Sequence, residues 1–316
     1  MKKILLVKTS SLGDVVHNLP VVADIRRHLP DARIDWVLEE AYAPLVRLNP
    51  GVHRAIPVAV RRWRSHLFAP GTWREMRELR RTLKAEPYDV VIDTQGLLKS
   101  ALIAAAASGP RHGYDAASAR EPVAARLYDS VHAVPRDRHA VLRNRALVAE
   151  SLGYRLEEPL DFGLSVERPA NASEKSIAFL HSTSRADKLW SEASWVSLGR
   201  SLEESGFRIV LPWGSQAEGE RARRIGQALA SAVIPGAMAV GELARLLAGS
   251  AAVIGVDTGL AHLAAAIGVP VVALYSATEP GLTGLYGCSR CVNLGGIGSP
   301  PSAEDALRGL RACGVL

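Results

Sequence analysis

A repeated alternation constrains this chain most: short, continuously apolar, β-branched segments are separated by helical patterns, and the series runs twice. The apolar segments are Ile4–Val7, Ile34–Leu38, Ala55–Val60 and Val90–Ile92, then Ile177–Leu180, Phe207–Leu211, Val253–Val256 and Val271–Leu274. Strands that are unbroken apolar runs, rather than in–out alternations, are covered on both faces. Helices between them supply the cover, which predicts an α/β protein with doubly wound parallel sheets and crossover helices. A chain of 316 residues is long enough for two such units, each with its own core. Residues 157–173, with Pro159 and Pro169 and no helical period, read as the linker, so the expected domains are 1–165 and 166–316. After a Gly/Pro-rich stretch, 295–301, Ser302 caps a predicted final helix, Ala303–Ala312. Folds of this kind bind ligand outside the carboxyl ends of their strands, so the chemistry is expected in the loops that follow them.

Charge narrows the partners. The net charge of +6 sits wholly in the first half: residues 1–170 carry 26 Lys+Arg against 20 Asp+Glu, and residues 171–316 carry 12 of each. Residues 54–84 alone hold nine basic and two acidic side chains, a field suited to phosphorylated lipid, nucleic acid or a membrane surface. The opening MKKILLVKTS has an apolar run of only four residues before Lys8, too short for a secretory core, so a cytoplasmic location is expected. An uncharged run of 21 residues, Thr258–Thr278, has the length of a membrane span, but Gly259, His262, Gly268 and Pro270 break it into a helix, a turn and a strand. Three cysteines fit a reducing compartment. Cys288-Ser-Arg-Cys291 has no second pair or nearby histidine to complete a zinc site, so it reads as two incidental thiols in a loop.

Three post-strand loops carry residues suited to chemistry. The first is Lys8-Thr-Ser-Ser-Leu-Gly-Asp14, which is not a Walker loop. Its Gly13 allows an unusual backbone angle or a close ligand approach. Asp14 reads either as a helix N-cap or as a base that takes a proton from an attacking hydroxyl. The second is His181-Ser-Thr-Ser-Arg-Ala-Asp-Lys188, where hydroxyls and a lysine suit a phosphate, against the plainer reading of a polar loop with a solvated lysine. Ser191 with Glu192 marks the next helix start. The third is Gly255-Val-Asp257-Thr-Gly-Leu-Ala-His262, a buried strand running into a helix whose first N–H groups suit a pyrophosphate. Asp257 there is a cap or a partner for a sugar hydroxyl, and His262 faces either the site or the core. Leu211-Pro-Trp-Gly214 leads to Glu218, placed as acids that hold a ribose are. No Asp-x-Asp occurs, and the one acid-x-acid pair is Glu218-Gly-Glu220, so a metal clamp on the pyrophosphate lacks its usual ligands.

Taken in order, Lys8–Asp14, Arg61-Arg-Trp-Arg64, Asp93-Thr-Gln-Gly-Leu-Leu-Lys-Ser100, Ala119-Arg-Glu-Pro122, Leu211–Gly214 and Asp257–His262 resemble the ADP-heptose family (family 9) of GT-B glycosyltransferases. The resemblance implies two facing Rossmann-like domains, the first binding acceptor and the second the nucleotide sugar. It implies transfer of L-glycero-D-manno-heptose from ADP-L-glycero-D-manno-heptose onto Kdo2-lipid A, with inversion, in building the lipopolysaccharide inner core. Asp14 then matches the general base, and Lys188 the group that receives the departing ADP. Thr183, Ser184 and Lys188 match diphosphate contacts, Glu218 the ribose contact, Met238 the adenine pocket, and Asp257, Thr258, Gly259, Leu260 and His262 the donor loop. Lys8, Arg61, Arg62, Arg64 and Arg120 match positions that hold the anionic acceptor, against the plainer reading of a solvated basic face. In an extended or loop conformation Arg62 and Arg64 would point one way and Arg61 with Trp63 the other. No cofactor or metal is implied, and the enzyme is expected at the cytoplasmic face of the inner membrane by surface association. Ser184 stands where a second threonine is usual, and Ser276 and Glu279 replace the glycine and aspartate of a Gly-Pro-Thr-Asp-Pro run. Competing readings are a later transfer of heptose onto heptose, a related sugar-nucleotide epimerase, and a non-catalytic nucleic-acid-binding protein. For the last, the basic segment shows no recognition helix or aromatic platform.

Overall fold

A computed structural model describes residues 1–156, 159–169 and 175–316. The chain divides into two compact units, Met1–Gly163 and Leu164–Leu316, against the expected split after residue 165. Of the expected linker, residues 157, 158 and 170–173 lie outside the described residues, and 159–169 form neither helix nor strand.

The first unit is built on six parallel strands: β1 (Lys3–Val7), β2 (Arg33–Glu39), β3 (Arg54–Val58), β4 (Val90–Asp93), β5 (Arg111–Tyr114) and β6 (Ser130–His132). Their order is β3-β2-β1-β4-β5-β6, so the winding reverses between β1 and β4. Val7 pairs with Val37 on one side and Asp93 on the other, which sets the ends of β1, β2 and β4 level. Leu5, Val7, Val37 and Val91 are fully buried in the core against Leu83 of the helix Pro70–Lys84. A buried ion pair ties two helices beneath this sheet: the Arg145 guanidinium donates twice to Asp24, at 2.7 and 2.9 Å.

In the second unit the strands are β7 (Ser176–Leu180), β8 (Arg208–Val210), β9 (Ala252–Val256), β10 (Val271–Tyr275) and β11 (Cys291–Gly295). The order β11-β10-β9-β7-β8 is again parallel throughout, with the reversal between β7 and β9. Phe179 and Trp195 pack at 4.7 Å between ring centroids in the core. The final helix, Ala303–Ala312, is capped by Ser302 as expected, its hydroxyl accepting from Asp305 N at 3.1 Å. It lies close on β10 because of Gly309, where a Cβ would come within 3.1 Å of Val272.

All eight apolar segments form strands, but β3 stops at Val58, and Ala59 becomes the N-cap of a helix, Val60–Ser65. Three short strands escaped the sequence reading: β5, β6 and β11 contain His112, Gly113, Ser130, His132 and Asn293, too polar to register as buried runs. The uncharged run 258–278 resolves into the helix Gly259–Ala266, a turn and β10, and no described helix is long and apolar enough to cross a membrane. Cys288 and Cys291 are joined in a disulfide, which corrects the reading of two incidental thiols.

Candidate active site

In the first unit, the loop after β1 is fixed from three directions. Trp36, fully buried in β2, donates its indole N–H to the Lys8 carbonyl at 3.2 Å. Gln95, just after β4, accepts from Thr9 N and Thr9 Oγ1 at 2.7 and 2.8 Å and donates to the Ser10 carbonyl at 2.9 Å. Lys8 itself is buried, its ammonium donating to the Thr94 carbonyl at 2.8 Å and to Asn144 Oδ1 at 3.3 Å. The Asn144 amide is oriented by Tyr114 Oη, which donates to Oδ1, and by the His17 carbonyl, which accepts from Nδ2. Burial drags the Lys8 pKa down to about 8, Asp14 partly opposes this, and Arg120 adds to the fall.

Asp14 lies in the short helix Leu12–Val16, which takes in Gly13 with no left-handed angle, so the expected special backbone use of that glycine is not made. Ser11, not Asp14, is the N-cap. The Asp14 carboxylate reaches back so that Oδ2 accepts from Ser11 N at 2.8 Å and Ser11 Oγ at 3.2 Å. Arg120 Nη1 stands 3.4 Å from Oδ1. Burial alone would raise this carboxyl, but Lys8, then Arg120, then the Ser11 bonds outweigh it and hold it below the usual carboxylate range. The capping and base readings are therefore compatible: Oδ2 serves the helix start, and among the described residues Oδ1 has only the long Arg120 contact. At neutral pH the group is ionised and able to take a proton.

Around it gathers a set of cations. Lys99, which the sequence reading passed over, donates to Ser10 Oγ at 3.0 Å. Its pKa is lowered first by burial, partly restored by Glu39, and lowered again by Arg61, Arg64 and Arg120, which places those three arginines in one field with it. Gly96 allows the close approach of this turn to Arg120: its φ is +66°, and a Cβ would lie 3.1 Å from the Tyr114 ring and 3.4 Å from Arg120 N.

The arginine cluster is not extended, as expected from sequence, but helical. On the helix Val60–Ser65, Arg61 and Arg64 are three apart and share a side. Arg62 turns to two carboxylates instead, reaching Glu75 at 2.9 Å and Glu40 at 3.3 Å. Trp63 is buried and donates to Glu75 Oε2 at 2.6 Å. Thus Arg61 and Arg64 join Lys99 and Arg120, and Arg62 does not.

In the second unit, Asp257 is the hub. It directly follows β9, is nearly buried, and its Oδ2 accepts from Lys188 Nζ at 2.6 Å and Thr278 Oγ1 at 2.6 Å. His262 Nε2 lies 3.9 Å from Oδ1, which turns this histidine to the site rather than into the core. Burial would raise the Asp257 carboxyl, but His262, Lys188 and Thr278 hold it far below the usual range. Thr183 donates to the Asp257 backbone carbonyl at 3.1 Å, so the loop after β7 is stitched to the loop after β9. Thr258 is the N-cap of the helix that begins at Gly259, with Leu260 in its first turn. Ser184 is exposed on the loop after β7.

Neighbouring loops complete this unit. Ser191 caps the helix Glu192–Glu204 as expected. Glu218 sits in the first turn of the helix Gln216–Gln227, where its Oε2 accepts from Gly214 N and Ser215 N at 2.8 and 3.3 Å. That cap holds one oxygen, and among the described residues the other makes no hydrogen bond. Met238 is half-buried just before the helix Val240–Ala248. In the 276–279 loop, Ser276 donates to the Asp187 carbonyl at 3.2 Å, and Glu279 caps the helix Pro280–Thr283. Thr278, a ligand of the hub, lay unremarked between those two.

Two parallel doubly wound units, with ionised carboxylates and cations collected at the strand ends of each, are the architecture of the GT-B glycosyltransferases. Escherichia coli heptosyltransferase WaaC bound to ADP has this architecture and superimposes with a TM-score of 0.92 at 39% identity, covering 98% of this chain and 99% of that one. The chain belongs to glycosyltransferase family 9, the heptosyltransferases, whose profile matches residues 76–306. Lipopolysaccharide heptosyltransferase 1 of Pseudomonas aeruginosa is 46% identical over 297 residues, spanning 93% of this chain and 83% of that protein. WaaC with ADP-2-deoxy-2-fluoro heptose gives a TM-score of 0.89 at 39% identity over 98% of this chain and 99% of that one. The protein is therefore a glycosyltransferase, and the nucleic-acid-binding and epimerase readings fall away.

Proposed function

We propose that the enzyme transfers L-glycero-D-manno-heptose from ADP-heptose to a Kdo hydroxyl of Kdo2-lipid A, inverting the anomeric carbon. The observation that carries this reading is an ionised carboxylate, Asp14, set in a field of cations that includes Lys8, Arg61, Arg64, Lys99 and Arg120. A neutral acceptor sugar needs a base but not such a field, whereas Kdo brings a carboxylate beside its hydroxyls. Arginines hold carboxylates and phosphates by paired hydrogen bonds.

In the proposed step the acceptor hydroxyl gives its proton to Asp14 as its oxygen bonds to the anomeric carbon. The bond from that carbon to the diphosphate oxygen breaks, and its electron pair leaves with ADP. Lys188, the Thr183 and Ser184 hydroxyls and the helix start at Thr258–Leu260 meet the growing negative charge. Asp257 and His262 address the heptose, the free Glu218 oxygen a ribose hydroxyl, and Met238 the adenine. The two E. coli WaaC structures, with ADP and with a fluorinated ADP-heptose, support this assignment of the donor. The first unit is then the acceptor side and the second the nucleotide-sugar side, with the enzyme working at the inner leaflet of the inner membrane.

Among the described residues no group of three His, Cys, Asp or Glu side chains is placed to hold a metal ion. The reading gives charge neutralisation to Lys188 and the helix start. Incubating the purified enzyme with ADP-heptose and Kdo2-lipid A, with and without EDTA, and weighing the lipid is the direct test. A gain of one heptose in both samples is expected. Product only from an already heptosylated acceptor would assign the later transfer, and loss with EDTA would overturn the metal-free step.

A further inference from the structure

The helix Pro70–Lys84 has one exposed, cation-rich face that makes no ion pair among the described residues. At 100° per residue, Trp73, Arg77, Arg80, Arg81 and Lys84 fall on one side, opposite the buried Thr72 and Leu83 and the partly buried Leu79. Arg74 flanks the stripe. All of these cations are exposed, and among the described residues none is within ion-pair distance of a carboxylate. This contrasts with Arg62 nearby, which two glutamates hold. The amino-terminal end of the stripe is apolar and bare: Phe68 is fully exposed, and Leu67 and Trp73 are about half exposed, at 51% and 50%. The Trp73 indole N–H donates to the Leu67 carbonyl at 2.8 Å, so the helix and the turn before it present these side chains as one fixed edge.

A row of unpaired cations beside exposed aromatic and leucine side chains is poor design for a surface facing water alone. It is the composition of a surface lying in a lipid interface, with apolar rings at the acyl boundary and cations among phosphates. We propose that this face docks on the anionic phospholipid headgroups of a bilayer, with Leu67, Phe68 and Trp73 inserted and Arg77, Arg80, Arg81 and Lys84 lying on the phosphates. The helix Val60–Ser65, with Arg61 and Arg64, runs directly into this edge, so docking brings the cationic site to the membrane. The inference deepens the proposed function, since a lipid-borne acceptor must be met at a surface. Lipid binding is measured without acceptor, so its failure is told apart from failure of the transfer reading.

The test is sedimentation with vesicles of phosphatidylglycerol and phosphatidylethanolamine, beside vesicles of phosphatidylcholine alone. The parent should bind the anionic vesicles only, and rising salt should weaken binding. The variant Arg77→Gln/Arg80→Gln/Arg81→Gln/Lys84→Gln should lose about fivefold in partition per charge, several hundredfold together. Leu67→Ser/Phe68→Ser should retain low-salt binding but lose the salt-resistant part. Both should turn over a soluble Kdo acceptor at the parent rate. Quenching by brominated lipid, diminished in Trp73→Phe, gives a readout that needs no charge variant. Equal binding by parent and charge variant, binding to phosphatidylcholine as strong as to anionic lipid, or a parent that prefers nucleic acid to vesicles would each overturn the proposal.

Discussion

Lys188 and Asp257 offer the sharpest test of how the second unit is wired. Their contact is 2.6 Å, and the side chains are 17% and 10% exposed. Exposed pairs contribute about 0.2–1 kcal/mol, and breaking a fully buried one costs about 3–5 kcal/mol. This pair lies between those limits, and Thr278 also bonds the carboxylate, which softens the loss when the lysine goes. A double-mutant cycle with Lys188→Met and Asp257→Asn should therefore return a coupling of about 1–3 kcal/mol, read by denaturant unfolding. The pH dependence follows from the sign of the shift. The folded Asp257 pKa is depressed, so its stabilisation is complete above the unfolded carboxylate value of about 3.9 and is lost as pH falls toward the folded value. Asp257→Asn should flatten that part of the acid limb. In catalysis, Lys188→Met should lower kcat about 10²–10³-fold, with a smaller change in donor KM. A coupling under about 0.5 kcal/mol would mean the pair is effectively solvated. A change in donor KM alone would mean that Lys188 only holds the ground state.

Four further expectations concern the first unit. Asp14→Asn should slow transfer roughly 10²–10⁴-fold with folding intact, and near-normal turnover would leave the residue a helix cap only. Arg120→Ala removes one of the charges that depress the Asp14 carboxyl, so the acid limb of kcat/KM should move to higher pH; an unmoved limb would detach Arg120 from the base. Arg61→Ala and Arg64→Ala should each raise the acceptor KM about tenfold or more, whereas Arg62→Ala should leave it unchanged, as separate titrations of acceptor and donor would show. Asp24→Asn strips a buried guanidinium of its charged partner and should destabilise the first unit by about 3–5 kcal/mol in an unfolding titration.

The fold was legible where burial on both faces leaves no alternative composition. Ile4–Val7 and Val253–Val256 must be apolar at every position, because each lies between two other strands and under helices on both sides. An edge strand faces no such demand. Both β6 and β11 have a neighbour on one side only, and each is partly exposed along its length, so Ser130, His132 and Asn293 are tolerated and the pattern fades. The short β5 escaped for a related reason, since its first two residues, Arg111 and His112, are only half-buried.

The site divides along a different line. Which positions bear chemistry followed from local order, because a strand end, a glycine and a helix start are neighbours in sequence. What those positions touch did not, because each partner arrives from a distant segment: Asn144 and Thr94 on Lys8, Arg120 on Asp14, Thr278 on Asp257. Periodicity has no access to such pairings. The helix at Val60–Ser65 shows the consequence. Six residues that read as the end of a strand and a basic loop take a helical turn, where Glu39 accepts from Arg61 N and Glu75 accepts from Trp63 Nε1. Those two carboxylates, 22 and 12 residues from their partners, decide which arginines face the site. Charge density along the chain reveals that an anion is to be met; only the tertiary pairings reveal which of the charges remain free to meet it.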